Sequence, residues 1–346
     1  MPRIPPSLFR RAAAVSPHVA ALLPACRDVS SAAAELRWIR EHVRESSAAT
    51  LHPSRVQEAR VAQLCARRGR GEPLQYVLGS QPFGALDIRC RRGVLAPRAE
   101  TEAYALHLAE VLRSGALFSK AAATTTRVVD FCTGTGCIAL ALYERLAKRP
   151  GALHVLGVDV SETAVSLAEE NLRRNAGVLA PPSAEKSVNF MMADVFEDEA
   201  MAAVPKCDVL VSNPPYISRD VWTYGGGGQM GYSVRKYEPV LALVPGEELP
   251  AHEGCDSADV FYARLLDIAA RLGPRVLLFE VGDREQALRV AGLAGRHEYT
   301  RRARCEVWRD WPDLTPEEDE AREVEVDGKV LLVKGSGNVR SVFVCL

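Results

Sequence analysis

The chain has 346 residues, of which 47% are hydrophobic and 25% are charged, and its formal net charge is -1 at pH 7. This composition is typical of a globular protein, and the length predicts two domains or one large domain with an extension. The near-neutral charge excludes a protein that binds nucleic acid through overall charge alone. The nine cysteines include no C-x2-C pair, so neither a zinc site nor a disulfide framework is predicted. No apolar stretch is long enough to span a bilayer, and no membrane partner is expected.

The first 27 residues contain arginines but no acidic residue, and alanine, serine and leucine fill much of the segment. A basic, acid-free N terminus is typical of mitochondrial presequences, so residues 1–27 predict a mitochondrial location, with the cytoplasm as the alternative. The other interpretation of this segment is a basic first helix of the folded protein. Apolar residues at helical spacing in 32–44 and 54–68 predict a small helical domain over residues 1–82.

A connecting region is predicted over residues 83–126. Its loosely alternating segment 86–95 predicts a β-hairpin that turns at Arg91-Arg92-Gly93, and a helix is expected at 100–112. From residue 127 onward, short apolar runs alternate with glycine turns and helices, which predicts an α/β fold with a mostly parallel sheet. The acidic segment 312–327 is expected to be a surface loop. The predicted strands are 128–131, 153–158, 188–191, 209–211, 276–279 and 341–346.

A glycine-rich turn follows the first of these strands, in Asp130-Phe131-Cys132-Thr133-Gly134-Thr135-Gly136. Gly134 and Gly136 permit a sharp turn and a close approach of the backbone to a ligand. The dinucleotide pattern G-x-G-x-x-G and the phosphate-binding pattern G-x-x-x-x-G-K are both missing from this turn. A nucleoside without a pyrophosphate fits better, and S-adenosylmethionine is such a nucleoside.

Two acidic residues at later strand ends complete the predicted cofactor site. Asp159 ends the second strand, where a carboxylate can accept hydrogen bonds from a ribose diol. Asp194 follows the third strand and is expected to accept from the adenine amino group, with Val195 packing on the base. No metal ligand is predicted. The predicted cofactor-binding residues are Asp130, Cys132, Thr133, Gly134, Thr135, Gly136, Asp159, Asp194, Val195 and Asn213.

The tetrad Asn213-Pro214-Pro215-Tyr216 follows a buried strand. The two prolines fix two φ angles and carry no N–H, which leaves the carbonyl groups free to accept hydrogen bonds. Asn213 adds a side-chain acceptor, and Tyr216 adds a flat ring with a polar tip. Together these groups can hold a planar NH2 group, so Asn213, Pro214, Pro215 and Tyr216 are the predicted catalytic residues. The alternative is a rigid Pro-Pro turn with a structural role only.

The order of glycine loop, ribose-binding acid and tetrad resembles that of class I S-adenosylmethionine-dependent methyltransferases. Further stretches resemble the HemK/PrmC family, and the opening residues are similar to its fungal mitochondrial members. The matching stretches are 70–79, Phe83-Gly84, 94–102, Tyr237-Glu238-Pro239 and Leu278-Phe279-Glu280-Val281-Gly282.

The resemblance implies a Rossmann-like domain over residues 127–346 with a seven-stranded, mostly parallel sheet. It implies methylation of the side-chain amide nitrogen (N5) of the glutamine in the Gly-Gly-Gln motif of a class I peptide-chain release factor. S-adenosyl-L-methionine would be the cofactor and S-adenosyl-L-homocysteine the product. A monomer that does not bind nucleic acid directly is expected. Glu100 and Glu280 are expected to be structural, for example by pairing with Arg98.

The chain departs from the family pattern at Cys132, at Val195, where a tryptophan sometimes stands, and in the loop after the tetrad. Cys132 stands where bacterial members often carry glycine. The loop after the tetrad contains Gly225-Gly226-Gly227-Gly228-Gln229, and its Gly-Gly-Gln tripeptide is one that release factors themselves carry. A release factor is rejected because three spaced nucleoside-site signals are present, and mimicry of the substrate by Gln229 is a minor hypothesis. Two other functions stay open: an N6-adenine methyltransferase on DNA or RNA, and a catalytically inactive methyltransferase-like binding protein.

Overall fold

A computed structural model describes residues 3–46, 55–115, 117, 125–224, 231–250, 252 and 255–346. The glycine-rich loop with Gln229 and most of the connector between 115 and 126 lie outside the described residues. None of the helices in the described part combines the length and apolar character needed to cross a membrane. The chain divides into two compact units. The first comprises Met1–Gln81, Cys90–Arg92 and Tyr224–Glu238, and the second comprises Pro82–Arg89, Gly93–Thr223 and Pro239–Leu346.

The first unit is built mainly from packed helices. Ser16 caps the second helix by accepting from the N–H of His18 at 3.2 Å, and Asp28 caps the third by accepting from Ser31 at 2.7 Å. Such caps satisfy N–H groups that a helix start leaves without partners. The helices are α1 Pro6–Val15, α2 Pro17–Cys26, α3 Val29–Glu45, α4 Arg55–Gly69 and α5 Leu74–Leu78.

The segment predicted as a presequence contributes to the core of this unit. Leu22 and Leu23 of α2 are fully buried, and they belong to one apolar cluster with Ile39 of α3 and Leu64 of α4. Burial of a leucine side chain contributes about 1.5–3 kcal/mol to folding. Residues 6–26 are therefore part of the folded unit, as the interpretation of a first helix expected. Cleavage after Arg27 would remove buried side chains from this core.

The β-hairpin lies earlier in the chain than predicted. Its strands are β1 Ser80–Phe83 and β2 Leu86–Arg89, which form a two-stranded sheet. The two-residue turn begins at Gly84, whose φ of 59° lies in the left-handed region. Glycine at the first position of a two-residue turn matches the natural twist of a hairpin. The predicted turn at Arg91-Arg92-Gly93 is therefore wrong.

The second unit contains a large mixed sheet. Its strands are β3 Thr126–Phe131, β4 Leu153–Asp159, β5 Lys186–Met192, β6 Val209–Ser212, β7 Val276–Glu280, β8 Arg304–Trp311, β9 Glu323–Val326, β10 Lys329–Lys334 and β11 Ser336–Cys345. Their order is β5-β4-β3-β6-β7-β11-β8-β10-β9. The strands β3 to β7 are parallel, whereas β11 is antiparallel to both β7 and β8. In the described residues the sheet thus has nine strands, and the predicted number of seven is wrong.

The additional strands come partly from the acidic segment predicted as a loop. Strand β9 has the sequence Glu-Val-Glu-Val and pairs in antiparallel fashion with β10. Asp327 and Gly328 connect the two strands with φ values of 50° and 76°. Positive φ at both central positions is the type I′ geometry that Asp-Gly favours in hairpins. The prediction of a loop across 312–327 is therefore wrong at its end, where the Asp-Gly pair specifies a hairpin.

Helices cover both faces of the sheet. Alternate residues of the strands point to opposite faces, so Val128 and Val209 face one apolar layer while Val129 and Leu210 face the other. The remaining helices, of which α11 belongs to the first unit, are α6 Ala99–Ser114, α7 Cys137–Leu146, α8 Glu162–Arg174, α9 Asp198–Ala202, α10 Arg219–Tyr224, α11 Tyr232–Tyr237, α12 Val260–Leu272 and α13 Arg284–Arg296.

The register of the parallel strands aligns their carboxyl ends. Phe131 pairs with Val158 on one side and with Ser212 on the other, and Ser212 pairs with Phe279. The next residues along these four strands are Cys132, Asp159, Asn213 and Glu280. They therefore lie in one row at the edge of the sheet. The chain changes direction across the sheet between β3 and β6, which is where open α/β sheets bind ligands.

Candidate active site

A cavity opens at this carboxyl edge, within the second unit. The glycine loop, the strand-end acids and part of the tetrad form its wall, together with Gly93–Arg98 from the stretch before α6. The predicted site residues that line the cavity are Cys132, Thr133, Gly134, Thr135, Asp159, Asp194, Val195, Asn213 and Pro215. Asp130, Gly136, Pro214 and Tyr216 are not part of the lining. The structure thus brings most of the predicted residues to one place.

The two glycines of the loop serve different purposes. Gly134 has a φ of 55°, and a Cβ added there would meet nothing closer than Val94 at 3.9 Å, so its backbone is open to the cavity. Gly136 has a φ of 77°, and a Cβ there would lie 2.9 Å from both Ala168 and Phe190. Gly134 thus allows a ligand to approach, whereas Gly136 allows close packing. Cys132 has a φ of 58°, a conformation that favours glycine and stores about 1–3 kcal/mol of strain in other residues.

The Asp159 carboxylate is held by backbone N–H groups. Oδ2 accepts from Gly134 at 2.8 Å, and Oδ1 accepts from Ser161 at 2.9 Å. Burial raises the pKa of Asp159, and these hydrogen bonds oppose the effect. The half-buried carboxylate lines the cavity with lone pairs still available. It can therefore accept hydrogen bonds from a ribose diol.

Asp130 lies beneath the glycine loop. Its Oδ2 accepts from the Thr133 hydroxyl at 2.6 Å and from the Ala139 N–H at 3.2 Å. Its Oδ1 is buried and has no hydrogen-bond partner among the described residues. Burial raises the pKa of Asp130 to about 7. The carboxylate connects the loop to the start of α7, and direct contact with a cofactor stays a prediction.

Asp194 stands beside an apolar part of the wall. Its Oδ1 accepts from the N–H of Phe196 at 2.9 Å, which fixes the carboxylate at the end of β5. Val160, Val195 and Phe196 line the cavity near it. A carboxylate acceptor next to apolar side chains suits a flat base that carries an amino group.

The tetrad presents two acceptors without a partner among the described residues. The Ser212 hydroxyl donates to the carbonyl of Phe131 at 2.9 Å and fixes the end of β6. In the part of the chain that the structure describes, neither the Asn213 side chain nor the Pro214 carbonyl has a hydrogen-bond partner. Asn213 and Pro215 line the cavity. The Asn213 amide and the Pro214 carbonyl are thus free to accept hydrogen bonds from a substrate.

Comparison with known proteins identifies the family. Residues 112–225 match the family described as "Methyltransferase small domain". The Saccharomyces cerevisiae protein named "Mitochondrial MRF1 N(5)-glutamine methyltransferase MTQ1" is 36% identical over 250 residues, which are 70% of this chain and 68% of that protein. The Schizosaccharomyces pombe protein named "Probable MRF1 mitochondrial N(5)-glutamine methyltransferase mtq1" is 32% identical over 292 residues, or 80% of this chain and 85% of that protein. The chain belongs to the N5-glutamine methyltransferase family. A "Release factor glutamine methyltransferase" of Thermodesulfovibrio yellowstonii is also similar, at 32% identity over 239 residues, or 68% of this chain and 72% of that protein.

Membership confirms the predictions of family, α/β fold class, methyltransferase activity and S-adenosylmethionine as cofactor. The residues present fit this cofactor. Gly134 leaves open space where a side chain would stand, and Asp159 offers an acceptor for a ribose. Within the described ranges, no three His, Cys, Asp or Glu side chains are grouped closely enough to hold a metal ion.

Tyr216 does not line the cavity. Its hydroxyl donates to Oε1 of Glu280 at 3.1 Å, and burial, with the nearby Glu280 charge, raises the Tyr216 pKa. Oε2 of Glu280 accepts from the Thr101 hydroxyl at 2.6 Å. The Glu280 carboxylate thus accepts from two hydroxyl groups, those of Thr101 and Tyr216, which agrees with a structural role. The suggested pairing with Arg98 stays a prediction.

Asn171 is a supporting residue that sequence analysis did not single out. Its side chain donates to the Thr135 carbonyl at 2.9 Å and accepts from the Arg89 N–H at 2.7 Å. It therefore connects the β2 strand to the glycine loop. Asn171 is fully buried in α8 and follows Leu167 and Ala168 on the apolar face. Asn171 could have been found from the sequence, because it is a polar residue at a helix position where apolar residues are expected.

Proposed function

We propose that this methyltransferase methylates the side-chain amide nitrogen (N5) of the glutamine in the Gly-Gly-Gln motif of a class I peptide-chain release factor. The names of its relatives support this substrate, since two specify N5 of glutamine and another specifies a release factor. The observation that carries the proposal is a pair of acceptors, the Asn213 side chain and the Pro214 carbonyl, that have no hydrogen-bond partner within the described ranges. They follow the strand β6 directly, next to the cavity that contains Asp159.

An amide nitrogen is a poor nucleophile because its lone pair is delocalised into the carbonyl group. When bound, S-adenosylmethionine supplies an electrophilic methyl group on a positively charged sulfur. In the proposed mechanism, the Asn213 oxygen and the Pro214 carbonyl each accept one hydrogen of the substrate amide. They orient the nitrogen toward the cavity and stabilise the positive charge that it gains during transfer. The nitrogen then releases one of its two hydrogens as a proton to solvent, which leaves a neutral N-methyl amide. Positioning of this kind can lower a barrier by up to about 7–11 kcal/mol.

The other site residues have supporting roles in this proposal. Pro215 forms part of the cavity wall, and Tyr216, which lies outside the lining, holds the end of the tetrad. Asp159 binds the ribose hydroxyls, while Asp194 and Val195 bind the adenine. The loop from Cys132 to Gly136 brings its backbone close to the methionine part of the cofactor, and Asp130 holds this loop from below.

We also propose that the enzyme works in mitochondria. Two yeast relatives are named as mitochondrial, and the first 27 residues carry arginines without any acid. Since Leu22 and Leu23 are buried in the helical unit, the targeting information in this segment would be retained in the mature protein.

Mass spectrometry tests the proposed reaction. The enzyme is incubated with S-adenosylmethionine and a mitochondrial release factor, and the peptide with the Gly-Gly-Gln motif is sequenced. One added methyl group on the glutamine is expected, and none on a release factor in which asparagine replaces that glutamine. Methylation of adenine in DNA or RNA in a parallel reaction, with an unmodified release factor, would overturn the proposal. Failure to bind S-adenosylhomocysteine would instead indicate an inactive binding protein.

A further inference from the structure

The segment from the end of β7 into α13 contacts Tyr216 in three ways. The Glu280 carboxylate accepts from the Tyr216 hydroxyl at 3.1 Å. The Gln286 side chain donates to the Tyr216 carbonyl at 3.1 Å. Gly282 lies against the ring, because a Cβ added there would be 3.1 and 3.3 Å from two ring carbons. The hydroxyl, one side of the ring and the carbonyl group of Tyr216 are thus all contacted by one short segment.

The Glu280 carboxylate is itself rigidly held. Glu280 is 2% exposed, and the Thr101 hydroxyl donates to its second oxygen at 2.6 Å. The Tyr262 hydroxyl donates to its backbone carbonyl at 2.7 Å. Burial raises the pKa of Glu280, while the Thr101 hydroxyl and the nearby Arg340 oppose this effect. Because Glu280 is held both at its second carboxylate oxygen and at its backbone carbonyl, it can fix the direction of the Tyr216 hydroxyl.

The Gln286 amide has only one orientation that satisfies its neighbours. Its oxygen accepts from the N–H of Gly282 at 2.8 Å. Its nitrogen donates to the Tyr216 carbonyl and, at 2.9 Å, to the Asp259 carboxylate. Gln286 is 3% exposed, so a reversed amide would bury unmatched donors and acceptors at a cost of about 1–3 kcal/mol. The contact with the Tyr216 carbonyl is therefore specific.

These contacts hold one end of the tetrad while Ser212 holds the other. The Ser212 hydroxyl is bonded to the strand β3 at 2.9 Å, and the φ angles of Pro214 and Pro215 are restricted by their rings. Little freedom then remains for the acceptors on Asn213 and Pro214, provided that Tyr216 stays in place. None of Glu280, Gly282 and Gln286 lines the cavity.

We propose that Glu280, Gly282 and Gln286 are positioning residues for methyl transfer, which hold Tyr216 and thereby the acceptors of the tetrad. This inference rests on the proposed function. The three residues act through Tyr216 and touch neither the cofactor nor the substrate. Their replacement is expected to lower kcat without changing the affinity for the cofactor.

Gly282→Ala is the sharpest single variant. Gly282 is not among the glycines with positive φ. A Cβ added there would lie 3.1 and 3.3 Å from two Tyr216 ring carbons and 3.3 Å from the Gln286 amide oxygen, so the Tyr216 ring and the Gln286 side chain would have to shift by a few tenths of an ångström. Since a shift of 1 Å can cost about a hundredfold in rate, we expect kcat to fall about 3- to 10-fold. Gly295→Ala is the matched control, because a Cβ there would meet nothing within 4 Å. Unchanged kcat in Gly282→Ala would overturn the proposal.

A double-mutant cycle tests whether Glu280 acts through Tyr216. Glu280→Gln alone is expected to lower kcat about tenfold, since a hydrogen bond to a charged group is weakened. In a Tyr216→Phe background the same change is expected to have almost no further effect, because the hydroxyl that it acts through is gone. The dissociation constant for S-adenosylhomocysteine, measured by calorimetry, should stay the same in all four proteins. If the two substitutions lower kcat independently, so that their fold-changes multiply in the double variant, the proposal is contradicted.

Nuclear magnetic resonance of ring-labelled tyrosine provides a readout that needs no methyl transfer. The Tyr216 signals are assigned with Tyr216→Phe and are expected to shift in Gly282→Ala and Glu280→Gln, but not in Gly295→Ala. If the wild-type enzyme fails to methylate a release factor while these shifts are observed, the proposed function fails and the contacts on Tyr216 stand. Unshifted Tyr216 signals would overturn the positioning role itself.

Discussion

Gly134 donates its backbone N–H to Oδ2 of Asp159 at 2.8 Å. This bond connects the glycine loop after β3 with the acid at the end of β4, so the two halves of the predicted cofactor site orient each other. In the part of the chain that the structure describes, backbone N–H groups of Gly134 and Ser161 hold the Asp159 carboxyl group. Changes at Asp159 are therefore expected to affect both the loop and the binding of the ribose.

Asp159→Asn is expected to weaken S-adenosylhomocysteine binding about 10- to 100-fold. Asparagine carries no charge and turns an NH2 group toward one of the two backbone donors, so hydrogen bonds worth about 1.5–3 kcal/mol are lost. Calorimetry measures the effect, with the exposed Asp319→Asn as the control. Because burial raises the pKa of Asp159, wild-type affinity should decline on acidification at a higher pH than for an ordinary aspartate. Equal affinities of the two variants would exclude the ribose-binding role.

Asn213→Ala is expected to lower kcat about 10²- to 10³-fold, as for loss of one preorganised group in an active site. The effect on cofactor affinity should be much smaller, because the Asn213 oxygen is proposed to act on the substrate amide. Steady-state kinetics with a release factor measure the change. Asn189→Ala on the exposed side of β5 is the control. Retained turnover in Asn213→Ala would rule out the proposed role.

Gly136→Ala is expected to destabilise the protein more than Gly273→Ala does. Both glycines have positive φ, at 77° and 72°, so alanine costs about 1–2 kcal/mol at either position. Only at Gly136 would the added Cβ also lie 2.9 Å from Ala168 and Phe190, whereas nothing lies within 4 Å at Gly273. Urea denaturation measures both free energies of unfolding. Equal losses would show that the loop can move away from α8.

The stability of the wild-type protein relative to Asp130→Asn is expected to fall as the pH rises from about 4 to about 7. The pKa of Asp130 is about 7 in the folded protein, against an ordinary value of 3.8. Between these two pKa values, the Asp130 carboxyl group is ionised in the unfolded chain but protonated in the folded protein. The free energy of unfolding therefore decreases as the pH rises. The free energy of unfolding decreases by at most about 4 kcal/mol over this pH range. Urea denaturation at several pH values tests it, and a difference that is constant or rises with pH would contradict the assignment.

Leu22→Ala is expected to destabilise the helical unit by about 2–5 kcal/mol, because it leaves a cavity in a packed core. Val15→Ala should change stability by less than about 0.5 kcal/mol, since Val15 is 60% exposed. Thermal unfolding measures both. Because α2 belongs to the core, protein isolated from mitochondria is expected to retain residues 6–26. Mass spectrometry of the intact protein tests this expectation. A mature form that begins after Arg27 would show that the core folds without α2.

The strands β3 to β7 could be predicted because each is a short apolar run, and parallel strands are buried on both faces. Strand β8 and helix α13 were missed. In β8, Glu306 is interspersed with apolar residues and is satisfied by the Trp308 ring N–H at 2.9 Å. A buried polar residue of this kind interrupts the apolar pattern while costing little energy, because its partner is supplied within the fold.

By itself, the sequence determined the chemical groups at the end of each strand, and parallel strands necessarily bring those ends to one edge. The tertiary structure alone decided which of these groups face the cavity and which lie behind it. Thr101 and Glu280 are 179 residues apart in the chain, and Tyr216 and Glu280 are 64 apart. No local pattern encodes such a contact, since a buried carboxylate is stable only where the fold brings hydroxyl donors to it.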